Sequence, residues 1–467
     1  MLNKILNNLK MYPEDECYEI NDKVYKNKDL YKYVCNIYNY LLKNNPNRKS
    51  VIVYGHKDIY MIASFLACSF AGMAYIPVDE SIPNERRKKI VEQVKPNVIL
   101  DKKIEKTMLN EKYNEISKIY MTGEDTYYII FTSGSTGIPK GVQVSYNNVK
   151  SCMKWLENIC NIKNGIILNQ ANYSFDLSLP DIYLPLLTRS KHYILERNTQ
   201  KDYVTLFRML KKSNSNLAVF TPSFLDLLLI DKSFDEKLMP KLNMILLCGE
   251  KLTKSTVDNV LKRFQHINLY NLYGPTECTF AVTGIKIENS DDISIGKPKD
   301  DTKIYIVDDN IQEVKEGNIG EILVTGKSVA KGYLNSNDNF IIYKNEKGFL
   351  TGDLGYKKED KFYCIGRKDN QIKYKGYRIE LSEIENVFYS FGYFDKIVVT
   401  TRKTENGRVK KILAFLKLKG SLNIQLEEIK ERLKNILPEY MIPTIKIVQE
   451  MPLTENGKID INKLMEK

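Results

Sequence analysis

Histidine and cysteine are scarce in this chain, and their scarcity removes whole classes of chemistry. The 467 residues include three widely separated histidines and eight cysteines, at 17, 35, 68, 152, 160, 248, 278 and 364. No two cysteines form a CxxC pair, which argues against a zinc site and against a secreted disulfide framework. Scattered histidines argue against a His-built metal centre or triad. The opening stretch, MLNKILNNLKMYPEDE, lacks the apolar core of a signal peptide. One long uncharged stretch exists, residues 59–78, long enough for a membrane span. Ser, Cys, Gly and Pro interrupt it, and Gly72 divides it into a helix-like part and a strand-like AYIPV. A buried helix followed by a core strand is expected, with no integral membrane segment and a cytoplasmic location. Internal repeats and low-complexity tails are also missing.

Charge has one excess sign but no pattern. Lys and Arg number 70 against 58 Asp and Glu, a formal net charge of +12. The lysines are spread along the chain instead of forming the basic stripe that nucleic acid requires, so no nucleic-acid partner is expected. A moderate positive field suits a solvated surface or an acidic protein partner. At this length one core is too few, and two or three domains are expected.

What is present is a glycine- and hydroxyl-rich turn. Residues 132–141 read TSGSTGIPKG and follow a short apolar run, YYIIF. Gly134 and Gly137 permit close backbone approach or positive φ. Thr132, Ser133, Ser135 and Thr136 supply hydroxyl donors, and Lys140 a mobile positive charge. Such a turn after a buried strand is suited to a polyphosphate. It is not the GxxxxGK[ST] loop: Pro139 stands five residues after Gly134, and Gly141 follows Lys140. The segment resembles the phosphate-binding signature of the adenylate-forming superfamily.

Apolar runs alternate with amphipathic segments as far as about residue 303. This predicts an α/β body with largely parallel sheets. From there KIYIVDD, EILVTG and KFYCIG predict a more β-rich subdomain. After residue 368 a hairpin (IKYKGYRI), two helices and two strands predict a small α+β module. The expected organisation is an N-terminal core, 1–368, and a mobile C-terminal domain, 369–467.

Further motifs deepen the resemblance. Asn271, Leu272, Tyr273, Gly274, Pro275, Thr276 and Glu277 form NLYGPTE. Tyr273 offers an aromatic face, Thr276 a hydroxyl, and Glu277 a hard oxygen ligand for Mg2+. The resemblance implies that this loop holds adenine and the α-phosphate of ATP and that Glu277 binds the metal. Asp353, after a Gly turn in TGD, and Arg367, in the run Cys364, Ile365, Gly366, Arg367, are implied to bind the ribose. Lys458, in PLTENGKID, matches the superfamily's mobile catalytic lysine, which would bridge carboxylate and phosphate. Asp369 matches its hinge. The C-terminal domain would present Lys458 first, then rotate to bring the region 375–378 to the thiol step.

Asp176, in NYSFDLS, indicates which acid is activated. A carboxylate there suits an α-ammonium group, and fatty-acid or aryl-acid enzymes have no use for it. The stretches ILNQANYSFDLSLPDIY, LLCGEKLTKSTVDNVLKRF, NLYGPTEC and DNQIKYKGYRIELSEIE resemble the branch that activates D-alanine for a carrier protein in teichoic acid esterification. Cys248, before Gly-Glu, is typical of that branch and would narrow the pocket near the α-carbon. Phe280 departs from it, since a small aliphatic residue is usual there, and would restrict the substrate to D-alanine or even glycine. No carrier motif follows Lys458, so a separate phosphopantetheinylated acyl carrier protein is expected. Three alternatives stay open: a peptide-synthetase-type enzyme for glycine or another small amino acid, an acyl-CoA synthetase, and a non-catalytic nucleotide binder.

Overall fold

The computed structural model describes residues 1–102, 114–134, 137–336, 338–420, 424–452 and 459–466. The chain divides into two compact units. The first comprises Met1–Glu80, Val94–Ile130 and Gly141–Lys368, and the second Ser81–Gln93, Phe131–Lys140 and Asp369–Lys467.

Three sheets build the first unit among the described residues. In the largest, six inner strands run parallel in the spatial order Asn268–Tyr273, Met244–Leu247, Leu217–Phe220, Ile166–Asn169, Lys191–Ile194 and Glu16–Ile20. Antiparallel strands close both edges, Thr283–Ile287 and Lys297–Pro298 on one side and Lys23–Lys26 on the other. The runs LAVF and MILL are buried at every position, the unbroken apolar pattern of a parallel strand covered on both faces. Because these strands are parallel, the loops after Asn169, Leu247 and Tyr273 leave from the same edge of the sheet. Those loops carry Asp176, Cys248 and the segment Gly274 to Phe280. Ligands of open α/β sheets bind at this edge.

A second sheet centres on the parallel strands Val51–Gly55, Tyr75–Asp79 and Thr126–Thr132. The uncharged stretch at 59–78 lies here. Helix Ile59–Phe70 is buried along almost its whole length, and Tyr75–Asp79 is a fully buried strand, as expected. Asp58 caps the helix by accepting the Met61 N–H at 2.9 Å. Gly72 turns the chain at φ +73°, where a Cβ would lie 2.9 Å from the Tyr120 Cβ. No helix among the described residues is long and apolar enough to cross a membrane.

The third sheet is the expected β-rich part, five antiparallel strands over Thr302–Val307, Gly320–Gly326, Phe340–Tyr343, Glu346–Lys358 and Lys361–Arg367. One expectation needs correction. The TGD motif is not a turn; it lies within the 13-residue strand Glu346–Lys358. Gly352 kinks that strand at φ +73° while its N–H donates to the Glu321 carboxylate at 2.9 Å. A glycine at positive φ in a strand makes a bulge as readily as a turn.

In the second unit, strands Gln371–Tyr374 and Tyr377–Glu380 form the expected hairpin. Its two turn residues, Lys375 and Gly376, have φ of +53° and +80°, the mark of a type I′ turn. Strands Phe394–Lys403 and Val409–Leu418 pair antiparallel, and Thr444–Ile447 adds in parallel. Helices Leu381–Ser390 and Leu426–Ile436 bury Ile384, Phe388, Ile429 and Leu433 against this sheet's Ile397, Ala414 and Leu416. Two upstream stretches, 81–93 and 131–140, belong to the same unit.

Candidate active site

Tyr273 ends a central strand of the large sheet, and its ring is buried among Cys278, Val282, Ile304 and Phe349. Its hydroxyl donates to Asp353 Oδ2 at 2.7 Å. Burial first, then the Asp353 charge, push the phenol well above its ordinary pKa, which keeps it a donor. Asp353 itself is 2% exposed. Asp353 and Arg367 are direct cross-strand partners, so the Arg367 guanidinium reaches Asp353 Oδ1 at 2.7 Å and the Thr351 carbonyl at 3.1 Å. Three side chains distant in sequence thus form one hydrogen-bonded group. Upstream on the Arg367 strand, Ile365 is exposed, Cys364 is half-buried with its Sγ 3.9 Å from the Gly366 carbonyl, and a Cβ on Gly366 would meet nothing within 4 Å. The third sheet is open at this point.

Asn271 and Leu272 are buried, and Asn271 donates to the Ser294 carbonyl at 2.7 Å. Gly274 has no room for a side chain, since a Cβ would sit 2.7 Å from the Phe280 carbonyl oxygen. After buried Pro275, the residues Thr276–Cys278 make a single 3-10 turn. Glu277 is 1% exposed, and its Oε1 accepts the Tyr333 hydroxyl at 2.6 Å. Thr279 and Phe280 then take φ of +60° and +69°, a left-handed conformation that β-branched and aromatic residues seldom adopt. Thr279 Oγ1 donates to the Ser328 carbonyl at 2.8 Å and its own carbonyl accepts the Ala281 N–H at 2.8 Å, which pins the strained pair. Among the described residues no three His, Cys, Asp or Glu side chains could hold a metal ion together. A single carboxylate nevertheless fits magnesium, which is commonly bound by one or two carboxylates plus substrate phosphates.

Asp176 is half-buried on the loop after Ile166–Asn169. It stands at an edge where loops leave the sheet. Its charge helps to raise the pKa of two buried neighbours, Tyr128 and Cys152, after desolvation, the largest cause in both. The Cys152 thiol, pushed up to about 12, also meets the backbone of Ala281. The Asp176 charge is thus felt at Cys152, which also lies beside the Ala281 backbone. The Tyr128 hydroxyl is buried with no hydrogen-bond partner among the described residues. Cys248 and Phe280 are both buried, with the Cys248 sulfur 4.0 Å from the Phe280 carbonyl oxygen.

The glycine–serine turn belongs to the second unit. Thr132 ends its strand and donates to the Lys140 carbonyl at 3.4 Å. Gly134 accepts the Gly137 N–H at 2.9 Å, and a Cβ on Gly134 would lie 2.2 Å from the Ile138 carbonyl oxygen. Gly137 has φ +76°. The Ser133 hydroxyl donates to the Arg378 carbonyl at 2.9 Å. Helix Asn84–Val94 is tied to the turn, with Lys89 donating to the Gly137 carbonyl and Gln93 to the Pro139 carbonyl, each at 3.0 Å. Lys140 opens the strand Lys140–Ser145. Ser135, Thr136 and Lys458 lie outside the described residues. Asp369 stands at the division between the units and accepts the Gln371 N–H at 3.1 Å.

Sequence reading missed Tyr333, Tyr128, Cys152, Lys89 and Gln93. Each lies outside any motif; Tyr333, Tyr128 and Cys152 pack beside the motif residues of the first unit, and Lys89 and Gln93 bind the turn within the second.

Fold and site together define an adenylate-forming enzyme: a parallel-sheet body, a β-rich part and a small α+β module. A family model described as AMP-binding enzyme matches residues 7–334, and the chain belongs to that family, whose members use ATP. Among characterised proteins the chain is similar to the D-alanine--D-alanyl carrier protein ligase of Bacillus licheniformis, at 37% identity over 89% of each chain. It is also similar to that of Listeria monocytogenes, at 36% identity over 97% of this chain and 96% of the other. The enzyme of the same name from Lacticaseibacillus casei is 34% identical over 90% and 89%. Among solved structures, the Vibrio cholerae adenylation domain AlmE in complex with glycyl-adenosine-5'-phosphate has a TM-score of 0.87 at 20% identity, covering 100% of this chain and 97% of that one. The o-succinylbenzoate CoA synthetase of Bacillus subtilis has a TM-score of 0.85 at 20% identity, covering 100% and 98%. At such identities the structures speak for the fold.

Proposed function

We propose that this chain activates D-alanine with ATP and passes it to the phosphopantetheine thiol of a separate acyl carrier protein. A carboxylate oxygen of D-alanine attacks the α-phosphorus of ATP, and pyrophosphate leaves. The carrier thiol then attacks the acyl carbon, its proton is released, and AMP leaves. The relatives' shared name supports both the amino acid and the carrier. ATP supply assigns the reaction to the cytoplasm.

The observation that carries the amino-acid reading is Asp176, a carboxylate at the ligand edge of the large sheet. An ammonium group bound there makes a charge-assisted hydrogen bond worth roughly 1.5–3 kcal/mol. The orphaned Tyr128 hydroxyl near it offers a further polar contact to the same substrate. Cys248 and Phe280 bound the space for the side chain. Tyr273, Asp353 and Arg367 form the ribose and base site. The turn at 132–137, with Lys140, takes the phosphates. Glu277 would hold Mg2+, which when bound neutralises phosphate charge. Lys458 would steady the charge that develops between carboxylate and α-phosphate, a contribution typically of about 3–4 kcal/mol. Asp369 would be the hinge between the domains 1–368 and 369–467.

The bulk of Phe280 favours a second reading, in which glycine is the substrate. One methylene in a pocket discriminates by only about 1–3 kcal/mol. ATP–pyrophosphate exchange across D-alanine, L-alanine, glycine, β-alanine and D-serine separates the two. D-alanine should give the highest kcat/KM. A glycine preference would replace the first reading with the second. Exchange only with fatty or aryl acids would reject both.

A further inference from the structure

The Ser133 hydroxyl carries a single proton and can donate it to one acceptor at a time. Here it donates to the carbonyl of Arg378, in strand Tyr377–Glu380 of the hairpin. While that bond exists, Ser133 cannot donate to a phosphate oxygen. The next helix, Leu381–Ser390, follows the strand directly, and its first turn places Glu383 against Arg86 in an ion pair. Both side chains are buried, Arg86 at 7% and Glu383 at 2% exposure. Glu383 Oε2 is buried with no hydrogen-bond partner among the described residues.

Arg86 lies on helix Asn84–Val94, which also grips the turn through Lys89 and Gln93. One helix thus holds both the phosphate turn and the start of the helix that follows the hairpin. A buried pair of this kind resists partial separation, because a half-open state leaves a buried charge uncompensated. Its stable arrangements are closed, with both groups paired, or open, with both in water. That is the two-state behaviour that a switch requires.

We propose that Arg86 and Glu383 are positioning residues whose ion pair holds the hairpin on the glycine–serine turn, in an arrangement that competes with the β- and γ-phosphates of ATP for the Ser133 hydroxyl. The inference rests on the turn being the phosphate site of the proposed reaction. The closed pair disfavours the triphosphate and tolerates AMP, so it separates the state that accepts ATP from the state that follows pyrophosphate release. The coupling is reciprocal, so weakening the pair must tighten the triphosphate.

The test is nucleotide affinity in the full chain, read by calorimetry with α,β-methylene-ATP, which cannot be cleaved at the reacting bond, and with AMP. Arg86→Ala should bind α,β-methylene-ATP about fivefold tighter or more than the parent, with AMP unchanged. Glu383→Gln should shift in the same direction. In a Ser133→Ala background the gain from Arg86→Ala should vanish. The exchanged pair Arg86→Glu with Glu383→Arg should return affinity toward that of the parent. Unchanged or weaker binding in both single variants, equal tightening of AMP, or a gain that survives without Ser133 would overturn the inference. If Arg86→Ala does not fold, Glu383→Gln carries the test alone. A parent that fails to bind α,β-methylene-ATP would reject the ATP site itself, whereas binding that no variant alters would reject only the ion pair's role.

Discussion

A methyl group on Gly134 would sit 2.2 Å from the carbonyl oxygen of Ile138. The turn would have to open to admit it, so Gly134→Ala should raise the KM for ATP tenfold or more, at roughly 1.4 kcal/mol per decade, with little change in thermal midpoint. Glu277 makes a separable case. Glu277→Gln keeps an acceptor for Tyr333 and removes the charge, so exchange activity should need a much higher magnesium concentration to reach half its maximum. An unchanged magnesium response would take the metal away from Glu277. The motif residues were legible because each chemical role restricts residue type within a few positions. Tyr333 was not, since it lies 56 residues from Glu277 and a lone tyrosine in GYLN signals nothing. Phe280 was legible as a departure, but its left-handed backbone was not, because no local rule places an aromatic residue there.

Helix Ile59–Phe70 shows what patterning can and cannot decide. Its apolar run fits a membrane or a core equally well, and the glycine at 72 with the strand after it decided for the core. Asp58 starts the helix, and Asp58→Ala should cost about 0.5–2 kcal/mol in a urea titration. A loss below that range would mean the surrounding core, and not the cap, sets the helix start. The strand Glu346–Lys358 was misread around TGD because a glycine at positive φ serves a bulge and a turn alike. The hairpin at 371–380 was legible from its alternating pattern and from the Lys-Gly pair at its tip. The assembly of 81–93 and 131–140 with the C-terminal residues was not, since nothing in local periodicity reports on contacts hundreds of residues apart.

The fold as a whole buries ionisable groups that the proposed chemistry does not use. Burial lowers His192 from its ordinary 6.5 to about 3, with the Asp181 backbone opposing slightly. In the unfolded chain the same ring gains a proton as pH falls through about 6.5. Between these values the unfolded state binds one more proton than the folded state. His192 should therefore contribute a fall in stability on acidification below about pH 6.5, by up to about 1.4 kcal/mol per pH unit. His192→Leu should remove that contribution, so that between about pH 7.5 and about pH 5.5 its urea midpoint falls less, or rises more, than the parent's. An equal change in the variant would assign the acid sensitivity elsewhere. Lys57 and Asp181 are both buried and each is shifted toward its neutral form by desolvation. Below neutral pH Asp181, raised above its unfolded value, binds a proton that the unfolded chain does not and so opposes the His192 contribution, which is why the difference between variant and parent carries the test.

The most direct measurement is mass spectrometry of the adenylate formed on the purified chain. The chain is given ATP, magnesium and an equal mixture of carbon-13-labelled D-alanine, unlabelled L-alanine and glycine, with no carrier protein present. Labelled alanyl-AMP should dominate in the parent and disappear in Asp176→Asn. A product dominated by glycyl-AMP or unlabelled alanyl-AMP, or an Asp176→Asn variant that forms the labelled adenylate as well as the parent does, would contradict this reading of the site.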